Sequence, residues 1–297
     1  MRKVLISGGT GLIGKRLSIL LQSKGYEVRL LSRSKKIVNG YQTFLWDVDE
    51  RYIDEKAFVD LDYIIHLAGA GIADKKWTEK RKKIIIDSRV QSTELLLQTV
   101  RKLKIPIKAF ISSSAIGYYG SITSNTVFEE SHQPNDDFLG EVCQQWEGSV
   151  FKCNNKNIRK VAIRTGIVLS KNGGALSKMK TPIITPLGNG KQYMPWIHID
   201  DLCEMYIKAL EDESIEGAFN AVSPEHQTNK LFSKILAKSL KKPFLSIGLP
   251  SLILKLVFGE MATILLNGSR VSSEKIKGTG FSFKYPILID ALEDLNT

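Results

Sequence analysis

The feature that most limits the fold is Gly8-Gly9-Thr10-Gly11-Leu12-Ile13-Gly14, set between a strand pattern and a helix pattern. Val4, Leu5 and Ile6 are consecutive and apolar, as in a short strand covered on both faces. Beyond Gly14, Leu17, Leu20 and Leu21 recur on one helical face, Gly25 sits where that helix would stop, and Tyr26 to Ser32 resumes as strand. The chain therefore opens β-turn-α-β. Two glycine spacings overlap here, Gly9-x-Gly11-x-x-Gly14 and Gly8-x-x-Gly11-x-x-Gly14. Glycines permit the tight turn, close helix-to-strand packing and the approach of a pyrophosphate to backbone amides at the helix amino end. Gly8, Thr10, Gly11, Leu12 and Ile13 are thus the candidate dinucleotide contacts.

The end of the second strand selects the dinucleotide. A carboxylate there, about twenty residues past the glycines, would grip a ribose 2′-hydroxyl and repel a 2′-phosphate. The segment reads Leu30-Leu31-Ser32-Arg33-Ser34-Lys35-Lys36, without an acid. Ser32 and Arg33 instead suit the 2′-phosphate of NADP, which a guanidinium can pair with bidentately.

Strand patterns at Tyr41 to Trp46, Tyr63 to Leu67, Ile107 to Ser112 and Arg159 to Arg164 alternate with helical patterns at 78–102 and 137–152. Such alternation predicts an α/β fold, a Rossmann-type doubly wound parallel sheet. Residues 170–192 are rich in Gly and Pro, Trp196 to Asp201 returns to strand-then-helix, and helical patterns dominate beyond Thr228, including an amphipathic stretch from Pro250 to Leu266. The expected organisation is a dinucleotide-binding domain of residues 1–169 plus 193–224. A small, mostly helical C-terminal cap of residues 170–192 plus 225–297 would carry substrate.

The chain has 42 Lys and Arg against 31 Asp and Glu, a net charge of +11, which raises the question of nucleic acid. The basic residues lie in scattered pairs and triplets with no basic arm, so no nucleic-acid partner is expected. The best apolar run, Leu249 to Leu266, is broken by Lys255, Gly259 and Glu260, so no membrane partner is expected either. Cys143, Cys153 and Cys203 show no metal spacing; reduced thiols in a cytoplasmic protein, and no metal, are the expectation.

These segments together resemble the extended, epimerase/dehydratase-like short-chain dehydrogenase/reductase superfamily. The resemblance rests on the glycine motif, Ser32-Arg33, Trp46-Asp47, Leu67-Ala68-Gly69 and Ser88-Arg89-Val90. Ser114-Ala115-Ile116-Gly117-Tyr118-Tyr119-Gly120, Arg164-Thr165-Gly166, Trp196-Ile197-His198-Ile199-Asp200-Asp201 and Gly278-Thr279-Gly280-Phe281 extend it over essentially the whole chain. More closely, the chain resembles the poorly characterised branch called "epimerase family protein". The resemblance implies cofactor contacts at Asp47, Leu67, Ala68, Gly69 and Arg164, and a small-molecule substrate. Extended members often dimerise through two helices that match 78–102 and 137–152, so a homodimer is implied as well.

Catalysis in that superfamily uses Asn, Ser, Tyr and a Lys four residues past Tyr, the ammonium and the cationic nicotinamide lowering the phenol from its ordinary pKa near 10. Placed here, the template finds Ser114 but Arg89 for Asn, Leu139 for Tyr and Cys143 for Lys, with Glu147 following. Tyr118 and Tyr119 lie just past Ser114 and are the candidate phenols; packing against the cap is the alternative. His198 is either an acid/base or a structural histidine, and Arg89 and Arg164 meet either ligand anions or a protein carboxylate. Two functions remain open. One is an NADP(H)-dependent oxidoreductase or epimerase on a small polar, sugar-nucleotide-like substrate; the other is an NADP(H)-binding regulatory or redox-sensing protein with little turnover.

Overall fold

The computed structural model describes residues 1–34, 40–153, 155 and 157–296. Lys35 and Lys36 therefore lie outside the described residues. In chain order, β1 (Lys3–Ser7), α1 (Leu12–Ser23), β2 (Glu27–Ser32), β3 (Gln42–Asp47), β4 (Tyr52–Ile53) and β5 (Tyr63–His66) come first. Then follow α2 (Glu79–Leu103), β6 (Ala109–Ala115), β7 (Val127–Phe128), α3 (Phe138–Phe151), β8 (Arg159–Thr165) and β9 (Ile167–Leu169). The remainder is α4 (Ala175–Met179), β10 (Trp196–His198), α5 (Ile199–Glu211), β11 (Gly217–Ala221), α6 (Asn229–Ser239), α7 (Ser251–Phe258), α8 (Thr263–Leu266), β12 (Arg270–Val271), α9 (Glu274–Gly278) and α10 (Leu288–Asn296).

The central sheet has eight strands in the order β11-β8-β6-β5-β1-β2-β3-β4. Every pairing is parallel except β3 with β4. Burial explains the strand sequences: β1 and β5 are apolar without alternation because helices cover both faces. On one face α1 and α5 close over Val4, Ile6, Ile65 and Ile163; on the other α2 covers Leu5, Ile64 and Phe110. Arg16 holds α1 to α5 through two hydrogen bonds to Asp200, at 2.6 and 2.8 Å. The chain leaves β1 towards β3 in one direction and β5 towards β11 in the other, so the carboxyl ends of β1 and β5 flank the switch point where such sheets bind ligands.

A third apolar cluster joins Leu176, Ile184, Trp196, Phe232, Leu236 and Leu292, and so binds the 170s loop, α6 and α10 into one lobe. The packing crosses the expected boundary in both directions: Leu169, Met194 and Trp196 join that lobe's cluster, Val271 packs with Tyr119 and Val222, and Ile276 and Phe281 belong to the sheet's own core, beside Phe219 of β11. The amphipathic pattern from Pro250 to Leu266 is not one helix. Gly259, at φ +61°, ends α7, and a single 3-10 turn leads into α8.

A buried histidine lies beneath the switch point. Ser7 at the end of β1 and Ser92 of α2 hydrogen-bond its two ring nitrogens, at 2.5 Å (Nδ1) and 3.0 Å (Nε2). Ser92 donates its own proton to the Ser88 carbonyl, so His66 Nε2–H donates to Ser92 and Nδ1 accepts from Ser7. Burial disfavours the imidazolium and brings the His66 pKa down to about 3. An unfolded chain takes up that proton below about pH 6.5 while the folded one does not, so the stability His66 confers above that pH is lost as pH falls towards 3. The gap in urea-unfolding free energy between wild type and His66→Gln should therefore narrow by about 1.4 kcal/mol per pH unit below pH 6. A gap that stays constant from pH 7 to 5 would contradict a neutral His66.

Candidate active site

The glycine turn folds as the spacing requires. Gly8 takes φ +73°, and a Cβ there would stand 2.9 Å from the Ala68 amide nitrogen and from the Leu67 carbonyl carbon. The loops after β1 and β5 therefore touch, backbone to backbone. Gly14 is required by internal packing, because its Cβ would lie 2.4 Å from the Gly8 carbonyl oxygen, whereas a Cβ on Gly9 would press on the end of the Leu30 side chain, at 2.5 Å. Gly11 differs. It has ordinary backbone angles, and its Cβ would meet only the Gly8 oxygen, at 3.2 Å. It is also the N-cap of α1, with no side chain accepting from the first-turn amides. The amino end, with Thr10 exposed beside it and Leu12 and Ile13 at its first turn, has no side-chain cap, and such an end favours an anion.

Around it, Arg33 is exposed at the end of β2, and the Ser32 hydroxyl accepts from the Ser34 amide. Asp47, at the end of β3, is exposed, but its Oδ1 holds the following turn by accepting from Asp49 and Glu50. Leu67, Ala68 and Gly69 run along the far side of the crevice. A Cβ on Gly69 would meet the Arg89 guanidinium at 3.2 Å. Arg89 donates to the carbonyls of Ala70 and Ile85 and lies 4.9 Å from the Trp146 ring. Burial lowers its pKa from the ordinary guanidinium value.

Of the two partners expected for Arg164, a ligand anion or a protein carboxylate, the folded chain supplies the carboxylate. Arg164 is 3% exposed, and both edges of its guanidinium bind Glu147, Nε to Oε1 and Nη2 to Oε2, each at 2.8 Å. Burial works against its charge, but Glu147 outweighs that and holds Arg164 above its ordinary value. Its Nη1 donates to the Tyr119 hydroxyl at 3.0 Å, and Tyr119 donates to Asn220 at 2.7 Å. Ser114 donates to Glu147 at 2.6 Å. One buried network therefore ties β6, α3, β8 and β11 together.

That network separates the candidate catalytic residues. Tyr119 is 2% exposed, and burial brings its pKa up to about 12, so its phenol is a structural donor. Tyr118 is half-buried, with Arg164 stacked 3.4 Å from its ring centroid; burial raises its pKa and Arg164 counters part of the rise. Leu139 and Cys143 pack against Gly117, and burial pushes the Cys143 thiol up to about 12, so no cation or phenol stands where the superfamily has them. His198 is also structural. Its Nδ1 accepts from the Asp200 amide, Nε2 lies 3.3 Å from Asp294, the ring packs 3.9 Å from Tyr285, and burial lowers its pKa.

Sequence reasoning met Glu147 only as the acid that follows the template and gave His66 no role. The signal for the internal role of Glu147 was its place on the α3 face that also carries Cys143, Trp146 and Val150, a face too apolar for a solvated carboxylate. His66 closes the apolar strand β5, where a polar residue on both-sides-covered backbone needs internal partners.

A parallel sheet with an uncapped helix at its switch point defines a dinucleotide-binding protein of the Rossmann type. Residues 4–138 match the NAD dependent epimerase/dehydratase family, and residues 249–295 match a domain of unknown function, DUF1731. An epimerase family protein of Staphylococcus aureus is 34% identical over 299 residues, spanning 99% of each chain. The crystal structure of human epimerase family protein SDR39U1 (isoform 2) with NADPH is 33% identical, covers 99% of this chain and 98% of its own, and superposes with a TM-score of 0.88. A nucleoside-diphosphate sugar epimerase of Corynebacterium glutamicum is 29% identical, with a TM-score of 0.78 over 98% of this chain and 57% of its own. This chain belongs to the NAD dependent epimerase/dehydratase family, within the extended short-chain dehydrogenase/reductase superfamily.

The buried pair yields a stability test. Glu147→Gln leaves Arg164 charged and without its counter-ion, and should cost about 3 kcal/mol or more in urea unfolding. Tyr119→Phe removes one neutral phenol and should cost about 1–3 kcal/mol. Equal and small losses in both would show that Glu147 does not anchor the network.

Proposed function

We propose that this protein is an NADP(H)-dependent oxidoreductase or epimerase acting on a small polar substrate of sugar-nucleotide type, with an active site that lacks the Tyr-x-x-x-Lys pair. The observation that carries it is the uncapped amino end of α1, beside a β2 edge that ends in Arg33 and no acid. The relatives support the cofactor and the substrate class: human SDR39U1 was crystallised with NADPH, and the Corynebacterium protein is described as a nucleoside-diphosphate sugar epimerase.

Bound NADP(H) supplies the hydride donor or acceptor. The amides of Leu12 and Ile13 hold the pyrophosphate, Arg33 pairs with the 2′-phosphate, and Leu67 to Gly69 form the opposite wall. The Ser114 hydroxyl donates its hydrogen bond to Glu147, so it offers a substrate only lone pairs and accepts from a substrate hydroxyl. Tyr118 is the phenol left free of the Tyr119–Asn220 hydrogen bond, and it exchanges the proton that accompanies hydride movement. Its raised pKa makes oxidation of a substrate hydroxyl, which needs the phenolate, rise towards alkaline pH, whereas NADPH-driven reduction, which needs the phenol, is level through neutral pH.

A second function, cofactor binding with little turnover, is favoured by Leu139 and the neutral Cys143 thiol in the relay positions. An NADPH-oxidation screen over carbonyl and sugar-nucleotide substrates separates the two. A substrate whose turnover falls about a hundredfold in Tyr118→Phe supports the enzyme. NADPH binding without turnover on any substrate supports the sensor.

The cofactor assignment has its own test by calorimetry. NADP(H) should bind at least about tenfold more tightly than NAD(H), a difference of about 1.4 kcal/mol, and Arg33→Ala should erase most of it. Gly11→Val should abolish binding of both with the fold intact, because its side chain would enter the phosphate's path. Equal affinities, or a Gly11→Val variant that binds normally, would overturn the assignment.

A further inference from the structure

The chain's charge is not evenly spread. Residues 171–192 and 225–258 hold ten lysines and a single carboxylate, Glu225, a net +9 against +11 for the whole chain. Glu225 is itself turned to internal work, accepting from the Gln227 side chain and the Leu288 amide. The two segments meet along part of their length. The 241–249 chain runs alongside 180–188, bridged at Ile184 with Phe244 and at Leu187 with Leu249, and then enters α7.

The same lobe exposes apolar side chains that nothing in the fold covers. In α7 only Leu254 is buried, while Leu252 is 68% exposed and Leu256 73%. Ile253 and Val257 share that helix's outer surface, and Ile183, Leu245 and Ile247 extend the apolar surface along the paired segments before it. Lys255 stands within α7 itself, exposed among them. Nearby, a cavity of about 690 Å³ is lined by Lys191, Lys230, Lys234, Tyr193, Leu231 and Phe244. Lys230 and Lys234 are one helical turn apart on α6, so both ammonium groups face the same mouth.

We infer that this lobe is a docking face for an anionic phospholipid bilayer, with α7 lying in the interface and the lysines of α6 and the 190 loop meeting lipid phosphates. Exposed leucines beside lysines, on a short amphipathic helix, are what interfacial binding uses: apolar area enters the acyl boundary, and each lysine near the surface adds attraction to anionic headgroups. A second copy of this chain fits poorly, because a two-fold contact would set this cationic face against itself. Nucleic acid would use the lysines and leave the leucines in water. No helix among the described residues is long and apolar enough to cross a membrane, so the contact is peripheral.

The full chain, with NADPH bound, is tested by co-sedimentation with vesicles of phosphatidylcholine plus phosphatidylglycerol and with vesicles of phosphatidylcholine alone. Binding should occur to the anionic vesicles, weaken as salt is raised, and be at least about tenfold weaker to neutral ones. Lys230→Glu with Lys234→Glu should each lower the affinity, together by about tenfold or more. Leu252→Ser with Leu256→Ser should lower it by a similar factor, and both double variants should keep wild-type NADPH affinity. Indifference to the leucine substitutions would overturn the proposal in favour of a purely ionic surface, which a short RNA duplicates in a gel shift. A dimer in analytical ultracentrifugation that the leucine substitutions dissolve would overturn it in favour of self-association. Failure to sediment with either vesicle overturns it outright.

Discussion

The Glu147–Arg164 pair holds together β6, α3, β8 and β11, the part of the molecule that carries Ser114 and Tyr118. Arg164 stands opposite Ser114 and Asn220 in the sheet register, and Glu147 reaches down from α3 to meet it. Two buried charges are costly unless their hydrogen-bonding capacity is filled. Here Ser114 gives Glu147 a third hydrogen bond, and Tyr119 with the Glu130 carbonyl takes the donors of Arg164 Nη1. Glu130 in turn accepts from the Asn220 amide. The residues after β6 are thereby locked to β8 and β11, and Tyr118 is left resting on the guanidinium at the edge of the site.

The cofactor half is organised by backbone contact in place of charge. Gly8 lets the first loop lie against Leu67 and Ala68, His66 sits below that contact as a neutral hydrogen-bond bridge, and α1 presents its free amides above it. The division is physically sensible. A phosphate site needs unpaired donors held at the surface, whereas the support for a reacting group needs donors already satisfied. Superfamily members place phenol and ammonium on the helix matched here by α3; this chain fills those positions with Leu139 and Cys143 and spends its charged residues one turn further along.

What was legible in the sequence was local. β1 begins and ends where Lys3 to Ser7 predicts, and α2 and α3 lie within about a residue of the periodic pattern, because apolar spacing and glycine punctuation act over a few residues. For Arg164 an ion pair with a protein carboxylate was one of two readings, but its partner was not legible, since nothing near it in sequence signals Glu147, 17 positions away on another element. The two-residue pairing of β7 with β12 is likewise too short to show a period, yet it fastens the 120s loop to the carboxy-terminal part. Within 250–266 the apolar spacing was right, but Gly259 at positive φ breaks the helix, and the outward leucines could only be recognised once the buried side of α7 was known.

The most direct measurement is a crystal structure of the complex with NADPH. The pyrophosphate should lie on the amides of Leu12 and Ile13, with Arg33 against the 2′-phosphate and Glu147 still holding both edges of Arg164. An Arg164 that leaves Glu147 to touch the cofactor, or a 2′-phosphate remote from Arg33, would contradict the account.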